Sequence, residues 1–244
     1  MTRRARRRLF VIGGSALVGA TLPIWMPALF SSFPAFRVER VEVSGTVYVT
    51  PDEVVRLADV SPEASVWDDP AEWEARVAGH PMIIEARVRR NGMHGVEIRV
   101  VEERPVALVA TPTLVAVNAE GRVLPLNPWE RGVDLPIVRG EAELHADIVV
   151  SQAHRDIAGL LGRLGSYDAA FVDQISEIWW TDQGALEILM LPSAHAERIV
   201  LSAASPVQGL RRVELALNEA GDRRVELADA RFEDRVVLRF EEGA

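Results

Sequence analysis

Few residues of this 244-residue chain could carry out acid–base or metal chemistry in a recognisable arrangement. Its five histidines form no His-Glu-x-x-His pair, and the chain has no Gly-x-Ser-x-Gly elbow, phosphate-binding loop or dinucleotide fingerprint. Cysteine is absent, which excludes a disulfide framework and thiolate metal sites. The sequence therefore predicts a protein that is not an enzyme and that uses no cofactor and no metal.

Two pairs of neighbouring carboxylates, Asp68-Asp69 and Glu102-Glu103, could in principle act as acid and base. The first pair precedes a proline in a pattern typical of a helix start, so Asp69 is predicted to cap a helix. The second pair lies on a predicted strand. Trp179-Trp180 could form a sugar-binding platform, but neighbours on a strand point to opposite faces. At most one of these two rings can therefore line a given surface, and the other is predicted to lie in the core.

A long uncharged segment at residues 9–33 indicates on which side of a membrane the other elements lie. Five arginines fall within residues 1–8, and the next charged residue after the segment is Arg37. As a helix, residues 9–30 would be about 33 Å long, enough to cross a hydrocarbon core of about 30 Å. Arginines beside a membrane span stay in the cytoplasm. The pattern predicts a cytoplasmic tail at residues 1–8, a transmembrane helix at residues 9–33 and the remaining chain on the far side.

A cleaved secretory signal is the main alternative to a retained anchor. Residues 18–20 could form a cleavage site, and residues 7–11 resemble part of a twin-arginine signal. However, the apolar run continues to Phe30, whereas a signal peptide has an apolar region of only about 7–15 residues. Trp25 and Phe30 also suit the interface on the far side of the spanned membrane, where aromatic rings settle. The sequence therefore favours a retained anchor.

The part of the chain outside the tail is strongly acidic. The whole chain has a net charge of −9, and residues 9–244 carry 22 basic and 36 acidic side chains, a net charge of −14. Such an excess of negative charge argues against nucleic acid as a partner.

Residues 36–105 are predicted to form a small domain with the order strand, helix, helix, strand, strand. Thr50 and Pro51 open the first helix with a capping-box pattern, and Asp69 precedes the second. Apolar and charged residues then alternate over residues 84–89 and 96–100, as they do in half-buried strands. An Asn-Gly pair begins the turn between these strands.

This order resembles a POTRA domain, a module that accompanies many membrane-embedded machines. Residues 98–107, with the sequence IRVVEERPVA, resemble the segment that joins POTRA to the second domain in the FtsQ/DivIB family of bacterial cell-division proteins. Residues 229–232, Asp-Ala-Arg-Phe, stand where that family tends to have an Asp-Leu-Arg-aromatic run.

Residues 106–244 are predicted to form a mostly antiparallel β domain with two helices, which makes the whole chain α+β. Hairpins are expected at residues 114–126 and 175–191, and residues 225–240 are strand-like throughout. One helix begins after Ser151 and the other, with a capping box, after Ser205. The apolar face of the first helix has helical spacing and consists of Ile157, Leu160, Leu161 and Leu164.

The resemblance implies a scaffold of the division machinery in the bacterial inner membrane, with its N-terminus cytoplasmic and both domains in the periplasm at the septum. Its implied partners are FtsB-like and FtsL-like bitopic proteins, other divisome components and membrane lipid. In that family the last strand pairs with a short β segment of FtsB. Carried onto this chain, the contact residues would be Arg231, Phe232, Arg235, Val236, Val237, Leu238, Arg239 and Phe240.

Within this set, Phe240 would be the aromatic anchor, and Arg235 and Arg239 would meet acidic residues of the partner. The alternative, equally weighted, is that the two arginines form a solvated face and that Phe240 is core. In the POTRA domain, the resemblance suggests a recruitment surface at Glu53, Arg56 and the strand edge after Ile84.

Two other functional classes compete with this interpretation. A POTRA protein of outer-membrane assembly or secretion is one, although an even series of barrel strands is missing from the sequence. An exported soluble binding protein is the other, and it would follow from cleavage of residues 9–33.

Overall fold

The computed structural model describes residues 30–31 and 33–241. They form two compact units, which divide in the chain between Glu102 and Glu103. Within the described residues, no helix has the length and apolar character needed to cross a membrane. The predicted tail and almost all of the predicted span at residues 9–33 lie outside the described residues.

The first unit has the predicted order of elements. A short 3-10 turn at Pro34–Phe36 leads into β1 (Arg40–Ser44), α1 (Pro51–Ala58), α2 (Ala71–Ala78), β2 (Ile83–Arg90) and β3 (Gly95–Glu102). The sheet has the order β1-β3-β2, with β1 parallel and β2 antiparallel to β3. The alternation predicted for the last two strands is confirmed except at the start of β2, where Ile84 is 59% exposed and Ile83 is buried instead, beside a shift in strand register. From Ala86 in β2 and from Val96 in β3, the buried apolar residues lie at every second position. The buried members are Ala86, Val88, Val96, Ile98 and Val100.

The helix starts follow the predicted chemistry in part. The hydroxyl of Thr50 accepts a hydrogen bond from the N–H of Glu53 at 3.3 Å, so the predicted cap of α1 is confirmed. At α2 the cap position is taken by Pro70, and the carboxylate of Asp69 accepts from the N–H of Ala71 at 3.0 Å from just outside the helix. Asp69 therefore caps the start of α2, but it lies one residue before the N-cap position that was predicted for it.

Glu102, the last residue of β3, is buried and holds the loop between β1 and α1. Its carboxylate accepts hydrogen bonds from the backbone N–H groups of Val47, Tyr48 and Val49, at 3.1, 2.6 and 3.1 Å. The same loop begins at Gly45, where a Cβ atom would lie 2.2 Å from a backbone oxygen of β3. Glu102, which was predicted only to lie on a strand, therefore fixes the loop between β1 and α1 to the end of β3.

The second unit is built on one eight-stranded sheet. Its elements are β4 (Ala107–Thr111), β5 (Thr113–Val117), α3 (Pro128–Arg131), β6 (Ile137–Glu141), β7 (Leu144–His145), β8 (Ile148–Val149), α4 (Gln152–Tyr167), α5 (Ala169–Val172), β9 (Ile175–Trp180), β10 (Ala185–Met190), β11 (Ala196–Ser202), α6 (Pro206–Ala220), β12 (Val225–Ala230) and β13 (Val237–Phe240). The strand order of the large sheet is β13-β12-β11-β10-β9-β6-β4-β5, and β7 and β8 form a separate hairpin.

The large sheet is more mixed than predicted. Four of its neighbouring pairs are antiparallel, but β4–β6, β6–β9 and β11–β12 are parallel. A parallel pair needs a crossover connection. The helices α4 and α6 supply two of these crossovers, and they pack with the sheet in a single hydrophobic cluster. The two predicted long helices thus account for two of the three parallel pairs.

Three local predictions for this unit need correction. The strand partner of β5 is β4, a strand that the sequence did not indicate, and the predicted arm at residues 123–126 contributes only a bridge from Val123 to Val117. Residues 225–240 are two antiparallel strands with a link at residues 231–236. The hydroxyl of Ser205 makes no capping hydrogen bond, so the predicted capping box of α6 is wrong.

The buried carboxylate of Glu102 generates a prediction for the loop that it holds. Hydrogen bonds to a charged acceptor contribute about 1.5–3 kcal/mol each, so Glu102→Gln should lower the free energy of opening of residues 45–49 by about 2 kcal/mol or more. That change corresponds to about thirtyfold faster amide exchange. Hydrogen exchange followed by mass spectrometry on the full chain measures it. Glu103→Gln is the matched control and should leave these amides unchanged; equal effects of both variants would contradict the role of Glu102.

Candidate functional site

The strand β13 lies at one end of the eight-stranded sheet and pairs with β12. In the described part of the chain, no strand pairs with its outer side. Backbone N–H and C=O groups alternate in direction along an antiparallel pair, so an edge strand directs every second set away from its neighbour. This edge can therefore accept an additional extended strand.

The opposite edge of the sheet is more covered. The N–H of Leu124 donates to the carbonyl of Ala116 in β5 at 2.9 Å, and Val123 bridges Val117. The residues that follow β5 thus occupy part of its outer side. Of the two sheet edges, β13 is the one whose outer side no described residue pairs with along its length.

Side chains of β13 alternate between the two faces of the sheet. Leu238 and Phe240 are half-buried and pack, with the preceding Val236, against the hydrophobic cluster. Val237, 49% exposed, and Arg239 lie on the other face. The inward residues hold the strand to its own unit, and the outward residues are accessible at its edge.

Phe240 is half-buried at the end of β13. Its ring packs against the core, and the guanidinium of Arg223 lies 4.1 Å from the ring centre. Arg239 is exposed and lies 4.0 Å from Glu226. A role for Phe240 as the aromatic anchor for a partner stays a prediction.

An ion pair marks the point where β12 ends. The guanidinium of Arg231 donates to both carboxylate oxygens of Asp229, at distances between 2.6 and 3.1 Å, and the Arg231 N–H donates to the same carboxylate at 3.1 Å. These hydrogen bonds outweigh the effect of burial and lower the pKa of Asp229 below its ordinary value. They also raise the pKa of Arg231, which therefore stays charged.

The link between β12 and β13 is held by a second arginine. Arg212 of α6 donates from one guanidinium nitrogen to the carbonyls of Ala230 and Phe232, at 3.3 and 2.9 Å. Within the link, the guanidinium of Arg235 lies 5.0 Å from the exposed ring of Phe232. The structure thus brings all eight predicted contact residues onto one strand and its link.

A polar cavity lies beside the Asp229–Arg231 pair. Its volume is about 350 Å³, and its lining includes Glu187 of β10 and Arg198 of β11. Neither of these residues, nor Asp229 or Arg223, was predicted from the sequence to belong to the site. Only the Asp229–Arg231 pair left a signal in the sequence, because residues two apart on a strand share a face.

The candidate recruitment residues of the first unit lie on two elements, α1 and β2. In the first unit Glu53 lies 3.8 Å from His80, Arg56 is exposed, and Ile84 lies on β2 at an edge of its sheet. Across residues 30–31 and 33–241, no group of three or more His, Asp or Glu side chains could hold a metal ion.

The two neighbouring tryptophans behave as predicted. Trp179 lies under the guanidinium of Arg139, 3.9 Å from its ring centre. Trp180 packs against the core and donates from its indole nitrogen to the carbonyl of Ala153 at 3.3 Å. The two rings therefore do not form one platform.

Comparison with known proteins agrees with this fold. A family model described as POTRA domain, FtsQ-type, matches residues 36–103. This match confirms the POTRA resemblance and covers the first unit from the 3-10 turn onward.

Relatives named "Cell division protein FtsQ" extend the similarity over most of the chain. The protein from Anaeromyxobacter sp. strain K is 30% identical over 88% of this chain and 72% of its own length. That from Rhodothermus marinus is 29% identical over 98% of this chain and 88% of its own length. That from Syntrophotalea carbinolica is 29% identical over 59% of this chain and 52% of its own length.

The Asp229–Arg231 pair generates a prediction about pH. Because the folded-state pKa of Asp229 lies below its unfolded value of about 3.9, the pair stabilises the fold above that pH and loses its contribution as the pH falls through the folded-state pKa. Arg231→Gln should lower the free energy of unfolding near pH 7 by at most about 1 kcal/mol, because the guanidinium is half exposed.

The predicted effect of Arg231→Gln is tested by measuring the free energy of unfolding as a function of pH. The difference between the native chain and Arg231→Gln should be constant near neutrality and shrink below about pH 4. In an Asp229→Asn background the same substitution should show no such pH dependence. A difference that persists undiminished in acid would contradict the ion pair as the cause.

Proposed function

This chain belongs to the FtsQ family of cell division proteins, and we propose that it is a non-catalytic scaffold of the bacterial divisome. In this proposal residues 9–33 anchor it in the inner membrane as a single-pass helix, with residues 1–8 in the cytoplasm. The POTRA domain and the second unit then lie in the periplasm and bind other division proteins at the septum.

The second unit binds its partner by strand addition to β13. The proposal rests on one observation: β13 is an edge whose outer side the described residues leave unpaired. An extended peptide can satisfy the N–H and C=O groups of such an edge and continue the sheet. The family resemblance makes a short β segment of an FtsB-like protein the occupant, with an FtsL-like protein as its companion.

Side chains of the edge then select the partner. Val237 and Arg239 project on the exposed face, where they would meet side chains of the added strand at the same level. Arg235 and Phe232 extend this surface along the link. Acidic residues in the partner segment would complement the two exposed arginines and speed its encounter with the edge.

Paired carboxylates on β13 should block this interaction. In the double variant Val237→Glu/Arg239→Glu, two negative charges stand on the outward face of the edge, where they oppose strand addition and repel an acidic partner. We expect affinity for the FtsB-like protein to fall about tenfold or more, equivalent to about 1.4 kcal/mol. Co-purification from membranes and binding of the partner's periplasmic segment measure it.

The chain offers a matched control on the central strand of the POTRA sheet. Arg99→Glu/Val101→Glu replaces the same pair of residue types, and Val101 is 49% exposed, like Val237. Because β3 has neighbours on both sides, this variant should keep full binding. Equal binding by both variants would contradict β13 as the contact edge.

The wider role is tested by position in the growing cell. A fluorescent protein fused to residue 1 should give a band at mid-cell during constriction, since the proposal places the N-terminus in the cytoplasm. The double variant in β13 should still reach mid-cell if the POTRA domain directs recruitment, but it should retain less FtsB-like protein there. A uniform envelope signal through the whole cell cycle would overturn the divisome proposal.

A further inference from the structure

Aromatic rings gather where the uncharged segment meets the POTRA domain. The ring of Phe30 lies 5.0 Å from that of Trp67 and 5.3 Å from that of Phe36, and Phe33 lies 6.4 Å from Phe30. The guanidinium of Arg90 covers Trp67 at 3.7 Å from the ring centre. We call Phe30, Phe33, Phe36, Trp67 and Arg90 the aromatic collar.

Backbone hydrogen bonds fix the collar to the domain. The N–H of Val66 donates to the carbonyl of Phe36 at 2.9 Å, and the N–H of Val38 donates to the carbonyl of Ala64 at 2.8 Å. The residues that follow the uncharged segment are thus tied to the loop that carries Trp67. These hydrogen bonds fix the direction in which the chain enters the domain.

The turn between β2 and β3 lies at the same end of the domain. It follows directly after Arg90, and its His94 carbonyl accepts hydrogen bonds from the N–H groups of Glu39 and Arg40, at 2.8 and 3.1 Å. Its tip carries Met93, which is 62% exposed. Phe33 of the collar is 48% exposed. Two apolar side chains therefore project into solvent beside the point of chain entry.

We propose that this end of the POTRA domain, with Phe33, Met93 and the collar, rests in the headgroup layer of the bilayer that residues 9–29 enter. The inference rests on the membrane anchor proposed above. Phe30 and Phe33 are part of the uncharged segment at residues 9–33, so the collar begins within the last residues of that segment. Aromatic rings settle at the membrane–water interface, and long arginine side chains reach its phosphates.

Charge at this end fits a lipid interface rather than an acidic protein. Arg37, Arg40, Arg89 and Arg90 are exposed. Two acidic residues lie among them: Glu39 lies 3.9 Å from a ring nitrogen of His94, and Glu42 lies 3.8 Å from Arg40. Mixed charge around exposed apolar tips suits a layer that contains both phosphate and amine groups. The occupant is therefore phospholipid of the anchoring membrane.

The chain has no cysteine, so a single introduced thiol can report the depth of one position. Met93→Cys and Val47→Cys form a matched pair, because Val47 is also apolar and 77% exposed. Val47 lies beside Glu102 at the far end of β3, and the eight residues Gly95–Glu102 separate the two sites by about 23 Å. The full chain would carry an environment-sensitive dye at either thiol, in vesicles of phosphatidylethanolamine and phosphatidylglycerol containing a headgroup nitroxide lipid.

We expect the nitroxide to quench the dye at position 93 several-fold more than the dye at position 47. Equal, weak quenching at both positions would overturn the inference. Flotation of the same samples separates the two ways to fail. If the chain floats with the vesicles but the two dyes are quenched equally, the proposed anchor stands and the placement of the POTRA domain in the headgroup layer is wrong. If the chain does not float, both proposals are wrong.

Discussion

The guanidinium of Arg212 holds the place at which the chain leaves the large sheet to make its last strand. It binds the carbonyls of Ala230 and Phe232 from α6, while Asp229 and Arg231 close the end of β12. The link can then return the chain antiparallel to β12, and β13 takes the sheet edge. The open edge of the sheet is thus positioned by hydrogen bonds from a crossover helix, and not by strand pairing alone.

Local patterns in the sequence predicted the elements whose contacts are local. The periodic apolar face of α4 is buried as expected, and the hairpin of β9 and β10 forms over the expected residues. The strand β4 gave no such signal, since Ala107–Thr111 is a short continuous apolar run that does not alternate. Parallel pairing and the bonds of Glu102 were also out of reach, because both join residues far apart in the chain.

The candidate site was likewise predictable from the sequence only in part. Family resemblance pointed to residues 231–240, and the structure gathers these residues on one edge and its link. The contacts that fix each side chain come from elsewhere: Arg223 on Phe240, Glu226 beside Arg239 and Arg212 on the link. They depend on strand register and on the position of α6, which pattern alone does not give.

The alternation of β13 gives four consecutive residues two different tolerances to substitution. Leu238 and Phe240 face the core of their own unit, so their replacement alters the stability of the fold. Val237 and Arg239 face outward, and surface changes cost the fold little. Substitutions at these two outward positions can therefore change the exposed surface of the edge, while the inward pair keeps the strand in place.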